Sequence, residues 1–138
     1  MKHLFNVDIA LLLLRVVTGF LFLPHGLAKV SSNFAGVKAM LAKAGLPEML
    51  YLGTFVGEII APICLMLGLF SRIAGLLIAF VMVFAIALTE GAAAFTKGAT
   101  GGYLGELNFL YLIIGITFFI AGAGKYAFKL KSKYFLWQ

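Results

Sequence analysis

Acidic groups, sulfur and histidine are all scarce in this chain. Its 138 residues include five Asp or Glu, two His and one Cys, and charged side chains make up 12% of the total. A lone cysteine, Cys64, excludes an intramolecular disulfide, a CxxC redox relay and a cysteine-ligated iron–sulfur cluster. Two histidines, one of them His3 near the terminus, argue against bis-histidine haem. No stretch carries zinc-knuckle spacing, a metal-ligand cluster or a nucleic-acid motif. The charged fraction is about half of ordinary globular usage, so the chain lacks the polar surface of a soluble domain.

What is present is apolar. Hydrophobic residues reach 63% and the mean hydropathy is +1.09. Four runs, roughly Ile9–Ala28, Leu50–Phe70, Ile73–Leu88 and Leu104–Ala121, each approach the ~17–25 residues a helix needs to cross a bilayer. The expected fold is all-α: a polytopic membrane protein with four transmembrane helices in an antiparallel bundle, one domain over residues 1–138. The connection Ser31–Met49 is too long for a turn. Ser31, Ser32 and Asn33 are N-cap types, Phe34, Val37, Leu41 and Ala44 follow at helical spacing, and Gly45 and Pro47 stop the pattern. A short interfacial helix is predicted there, either a surface anchor or a lid, with Lys38 and Lys43 reaching water.

The formal net charge of +6 sits beside the apolar runs, where it reads as a topology and anionic-lipid signal rather than a nucleic-acid one. Four crossings put both termini and the Phe70–Arg72 turn on one side, with Lys2, Arg15, Arg72, Lys125, Lys129, Lys131 and Lys133. The other side holds Lys29, Lys38, Lys43 and Lys97. The excess predicts both termini in the cytoplasm. Arg15 interrupts the first run, so that run is expected to be an uncleaved span. The tail alternates lysines with Tyr126, Phe128, Tyr134, Phe135 and Trp137, the composition of an interfacial belt. Gly98, Gly101, Gly102 and Gly105 form a flexible approach to the fourth span, not a phosphate loop.

Few ionisable residues fall within the spans, where charge is costly and functional candidates concentrate. Glu58 lies ~12 Å below the outer edge of its span at 1.5 Å per residue. Pro62, lacking an N–H, leaves the Glu58 carbonyl without its helical donor. Gly53, Gly57 and Ala61 beside it form a small-residue ridge suited to close helix approach or oligomerisation. His25 follows Pro24 near the outer end of the first span, with Lys29 one turn on. Glu106, Asn108 and Tyr111 open the fourth span at overlapping depth. Glu90, at the outer end of the third, reads as a surface group. Convergence of His25, Glu58, Glu106 and Asn108 is the predicted site, for ligand binding or proton relay, with Arg15 and Lys29 as charge partners. Arg15 also lies close enough to the interface to snorkel. Each of these groups has a bland alternative as a packing contact.

Leu14-Arg15, Gly19-Phe20-Leu21-Phe22 and His25-Gly26-Leu27-Ala28-Lys29, then Gly57-Glu58, Leu67-Gly68-Leu69-Phe70-Ser71-Arg72, Gly105-Glu106 and Gly122-Ala123-Gly124-Lys125, resemble in order and spacing the DoxX family of small four-helix membrane proteins. Ala123 and Lys125 depart from that family's usual Gly-Pro-Gly-Arg ending. The resemblance implies an inner-membrane bundle akin to the quinone-reducing subunit of a thiosulfate:quinone oxidoreductase and to proteins of oxidative-stress complexes. The expected function is an accessory subunit in membrane redox metabolism, with an intramembrane pocket for a quinone or small lipophilic molecule. His25 would hydrogen-bond a carbonyl, Glu58 would relay a proton, and Phe22, Phe55 and Tyr111 would flank the ring. The chain has no flavin, haem or iron–sulfur motif of its own, so it would be at most one subunit of an oxidoreductase, needing a redox partner protein. A small proton-coupled transporter, acting as a homo-oligomer, and a non-catalytic assembly or chaperone subunit are the competing expectations.

Overall fold

The computed structural model of the protein describes residues 6–128. Lys2, His3 and the lysine-rich aromatic tail over residues 129–138 lie outside the described residues. Within them the fold is all-helical. Helix α1 (Val7–Ser31) starts at Asn6, whose side chain accepts a hydrogen bond from the Asp8 N–H at 2.9 Å. It ends where the Ser31 and Ser32 hydroxyls donate to the carbonyls of Ala28 (2.7 Å) and Lys29 (3.0 Å). Those serines therefore finish the first helix instead of opening the second. Asn33 and Phe34, in left-handed conformation at φ 50° and 54°, swing the chain into α2 (Ala35–Lys43). Gly45, at φ 69°, and Pro47 then stop α2 where the sequence predicts. Lys38 does not simply reach water: its ammonium is 3.4 Å from Glu48 and lies over the Tyr51 ring.

Three further helices follow: α3 (Glu48–Leu67), α4 (Ser71–Phe95) and α5 (Glu106–Ala121). By length and composition α1, α3 and α4 can each cross a membrane, while α5 is as apolar but has 16 residues. Helix α4 runs past the predicted end at Leu88, through a π-wound turn Ile86–Glu90 and a 3₁₀ turn Gly91–Phe95. The described residues contain no β-strand; a single antiparallel bridge, Lys97–Tyr103, closes the glycine loop before α5.

Helix α3 is not uniform, and its irregularity sits at Glu58. Over Val56–Ile60 it winds as a π-helix, the Ala61 N–H reaching back to the Val56 carbonyl. Pro62 explains this, since it offers no N–H to the Glu58 carbonyl and the turn must relax around the missing bond. Gly26 of α1 occupies the space so opened: a Cβ on it would lie 2.6 Å from the Glu58 carbonyl oxygen. Gly19 meets the Pro62 carbonyl in the same way, and Gly57 meets Val81 of α4. Gly57 is thus committed inside its own fold and cannot serve an oligomer contact, whereas Gly53 faces open space. Gly75 and Gly115 bring α4 and α5 together, a Cβ on each falling 2.5 and 2.6 Å from the other's carbonyl oxygen. Apolar lipid gives helices no hydrophobic drive to associate, so backbone approach at such glycines carries the packing. Around them Phe22, Leu65, Ile78, Met82, Tyr111 and Phe118 fill the core.

Candidate functional site

Glu58 is 1% exposed, and its Oε1 accepts from the Lys29 ammonium of α1 at 2.5 Å. The pair is possible because Gly26 seats α1 against the π-turn that carries Glu58, leaving Lys29 one turn beyond the contact. Its four-carbon stem then bends back to the carboxylate. The other carboxylate oxygen, Oε2, is buried with no hydrogen-bond partner. Half of the acceptor capacity of this carboxylate is therefore unused.

The pair opens onto a cleft of about 340 Å³ between α2, α3 and α4. Its walls are apolar: Met40 and Leu41 from α2, Leu50 and Gly53 from α3, Phe80 and Phe84 from α4. Phe80 and Phe84, one turn apart, stack with centroids at 5.6 Å. The Thr54 hydroxyl also lines the cleft and makes no hydrogen bond among the described residues. Helix α2 is thus a wall of this space, so the lid alternative for the interfacial helix has a structure to cover.

The other predicted residues lie elsewhere. His25 is exposed, its ring 6.2 Å from Phe22 and 6.4 Å from Tyr111 of α5. It is next to Gly26, yet one residue is about 100° round a helix, which turns it away from α3. Glu106 is exposed at the start of α5, its carboxylate folded over Gly102. Asn108 donates to Oε1 of Glu90 at 3.1 Å. No hydrogen bond or ion pair among the described residues joins His25, Glu106 or Asn108 to Glu58. Of the predicted residues, Glu58 pairs with Lys29 and Asn108 pairs with Glu90.

Of the two expected charge partners, Lys29 takes the role and Arg15 does not. Arg15 lies roughly 21 Å from Lys29 along α1. It is 2% exposed, donates to the Tyr126 carbonyl, and packs its guanidinium against Gly68. Nearby, Arg72 donates to the Phe119 and Ile120 carbonyls at 2.7 and 2.6 Å, satisfying acceptors at the C-terminal end of α5, where the helix dipole favours a cation. The aromatic residues also change roles. Phe22 and Tyr111 stack on each other in the core at 4.7 Å, and Phe55 packs edge-on to Phe34. The rings beside the cleft are Phe80 and Phe84, whose i, i+4 spacing in the third apolar run was the available signal. Glu90, read from sequence as a surface group, is half-buried with Oε2 unpaired.

Residues 10–91, more than half of the chain, match the DoxX family profile. This protein belongs to the DoxX family. The matched segment contains both members of the Lys29–Glu58 pair and ends before Glu106 and Asn108. This DoxX protein is 32% identical over 116 residues to "Putative oxidoreductase CatD" of Bacillus subtilis (strain 168), covering 84% of its own length and 86% of the relative's. It is 33% identical over 125 residues, 88% of each chain, to an uncharacterised protein of Haemophilus influenzae (strain ATCC 51907 / DSM 11121 / KW20 / Rd). No solved structure matches the chain.

Proposed function

We propose that this DoxX protein is an accessory membrane subunit of redox metabolism that holds a quinone or similar small lipophilic molecule in the Lys29–Glu58 cleft. One observation carries the reading: an ion pair between half-exposed Lys29 and buried Glu58, with spare hydrogen-bonding capacity, forms the polar end of an otherwise apolar cleft. At about 340 Å³ the cleft falls in the ~300–1,000 Å³ range of small-molecule sites, and its few polar groups amid apolar walls are the usual pattern of such sites. The Lys29 ammonium would donate to a ring carbonyl, Glu58 would exchange a proton with the bound molecule, and Phe80 and Phe84 would flank the ring. The oxidoreductase name of the Bacillus relative is in keeping with this. Electrons would come from a partner protein, since the chain carries no redox cofactor motif.

The same reading takes α5 as a fourth crossing, supported by its apolar composition and its close approach to α4 at Gly75 and Gly115. Both termini then face the cytoplasm from the inner membrane. Arg15 and Arg72, packed at that end, agree with the positive-inside bias.

The test is to purify the protein in mild detergent, extract its bound lipids and measure quinone by mass spectrometry. Wild type and Glu90→Gln, altered outside the cleft, are expected to retain quinone. Glu58→Gln and Lys29→Gln are expected to lose at least about tenfold of it. Equal retention by all four forms, or none in wild type, removes the proposal. Proton flux through vesicles that depends on Glu58, without bound ligand, would put a proton-coupled transporter in its place.

A further inference from the structure

We infer that Thr54 is a ligand-binding residue of the cleft, whose hydroxyl hydrogen-bonds an oxygen of the bound ring in its carbonyl and its hydroxyl form alike. The inference rests on the cleft reading above and adds a second residue that reads the oxygens of the ligand. Two threonines line the cleft, Thr54 on α3 and Thr89 on α4. The Thr89 hydroxyl is spent on its own helix, donating to the Ala85 carbonyl at 2.7 Å, as Thr117 on α5 donates to Ile113 at 2.8 Å. Such a back-bond is the common way for a threonine to satisfy its hydroxyl within an apolar helix. Thr54, with Leu50 four residues behind it, makes no such bond and no other among the described residues.

Position keeps that hydroxyl available. Thr54 precedes Glu58 by four residues and shares its side of α3. It is half-buried, so a molecule in the cleft can touch it. Gly53 beside it carries no side chain, and nothing lies within 4 Å of where one would begin, so the adjoining wall is open. An unpaired hydroxyl amid apolar walls is costly, and a ligand oxygen that pairs with it gains affinity. The chemistry is also versatile. A hydroxyl both donates and accepts, whereas the Lys29 ammonium only donates. By turning about its own C–O bond, the Thr54 hydroxyl can donate to a ring carbonyl or accept from a ring hydroxyl. Both redox forms of one ring therefore find a partner at Thr54.

The experiment measures binding of a decyl-substituted benzoquinone and its hydroquinone to the full-length protein in detergent under anaerobic conditions. Thr54→Val keeps the shape of the side chain and removes the hydroxyl; Thr54→Ser keeps the hydroxyl and removes the methyl. Thr54→Val is expected to weaken both probes about fivefold or more, by similar factors. Thr54→Ser is expected to stay within about twofold of wild type for both. The thermal midpoint of Thr54→Val should equal or exceed that of wild type, because the hydroxyl has no partner in the fold to lose. Unchanged binding by Thr54→Val, a loss confined to one redox form, or an equal loss in Thr54→Ser overturns the inference and leaves the cleft as a ligand site. A Thr54→Val protein that fails to fold overturns it too, since the hydroxyl would then belong to the fold. Failure of both probes to bind wild type overturns the cleft reading as well.

Discussion

Glu58 is 1% exposed, whereas the Lys29 side chain is 36% exposed, so the two charges of the pair are solvated unequally. Removing one partner therefore depends on which charge is left behind. Lys29→Met strands a carboxylate beneath the Gly26 contact with no cation, at an expected cost of about 3 kcal/mol. Glu58→Leu leaves a lysine that can extend toward the interface, and about 1 kcal/mol is expected. The double variant Lys29→Met/Glu58→Leu replaces the pair by apolar groups and should recover most of the loss from Lys29→Met. Denaturant titration of the four forms in detergent checks the order. A double variant less stable than Lys29→Met would mean the pair holds the helices together by net attraction, contrary to this account.

At the scale of the elements, the glycines divide into those in contact and those facing space. Gly26→Ala would drive a methyl group into the Glu58 carbonyl, a backbone atom that cannot turn aside, so α1 and α3 must separate; about 2 kcal/mol of destabilisation is expected. Gly53→Ala meets nothing within 4 Å and should be neutral, or gain about 0.5–1 kcal/mol from helix propensity. Gly53→Leu is expected to keep that stability and lose bound ligand, because Gly53 lines the cleft. Thermal midpoints, with lipid extraction for the last variant, separate these cases. The same elements mark what the sequence could reveal. Composition and length gave the long helices, the Gly45–Pro47 stop gave the end of α2, and Pro62 pointed to disturbed backbone at Glu58. Periodicity gives the face of a helix but not which side chain from a neighbouring helix arrives there. Hence Glu58 was recognisable as a carboxylate that must be paired within the fold, while its partner among His25, Lys29, Arg15 and Glu106 was not. Ser31 and Ser32 misled for a related reason: a hydroxyl that can cap the start of one helix can equally bond back to the last carbonyls of the one before.

For the whole molecule the open quantity is the number of crossings, because α5 is short. Its 16 residues span roughly 24 Å at 1.5 Å per residue, against a hydrocarbon core of about 30 Å. The 25-residue α1 and α4 reach roughly 37 Å and can tilt to fit. Close packing of α5 on α4 at Gly75 and Gly115 holds the short helix at the depth of its neighbour, and local thinning of the bilayer or the polar ends of the helix can take up the difference. Ala99 and Lys125, both exposed, flank α5 and report its course. In a Cys64→Ser background, a cysteine at Ala99 is expected to react with a membrane-impermeant maleimide in intact cells stripped of their outer permeability barrier. A cysteine at Lys125 is expected to react only after lysis. Labelling of both positions before lysis would leave three crossings and carry the C-terminus outward. Arg15 and Arg72 would then sit at an end whose adjoining tail had been translocated, against the charge bias that orients the rest of the chain.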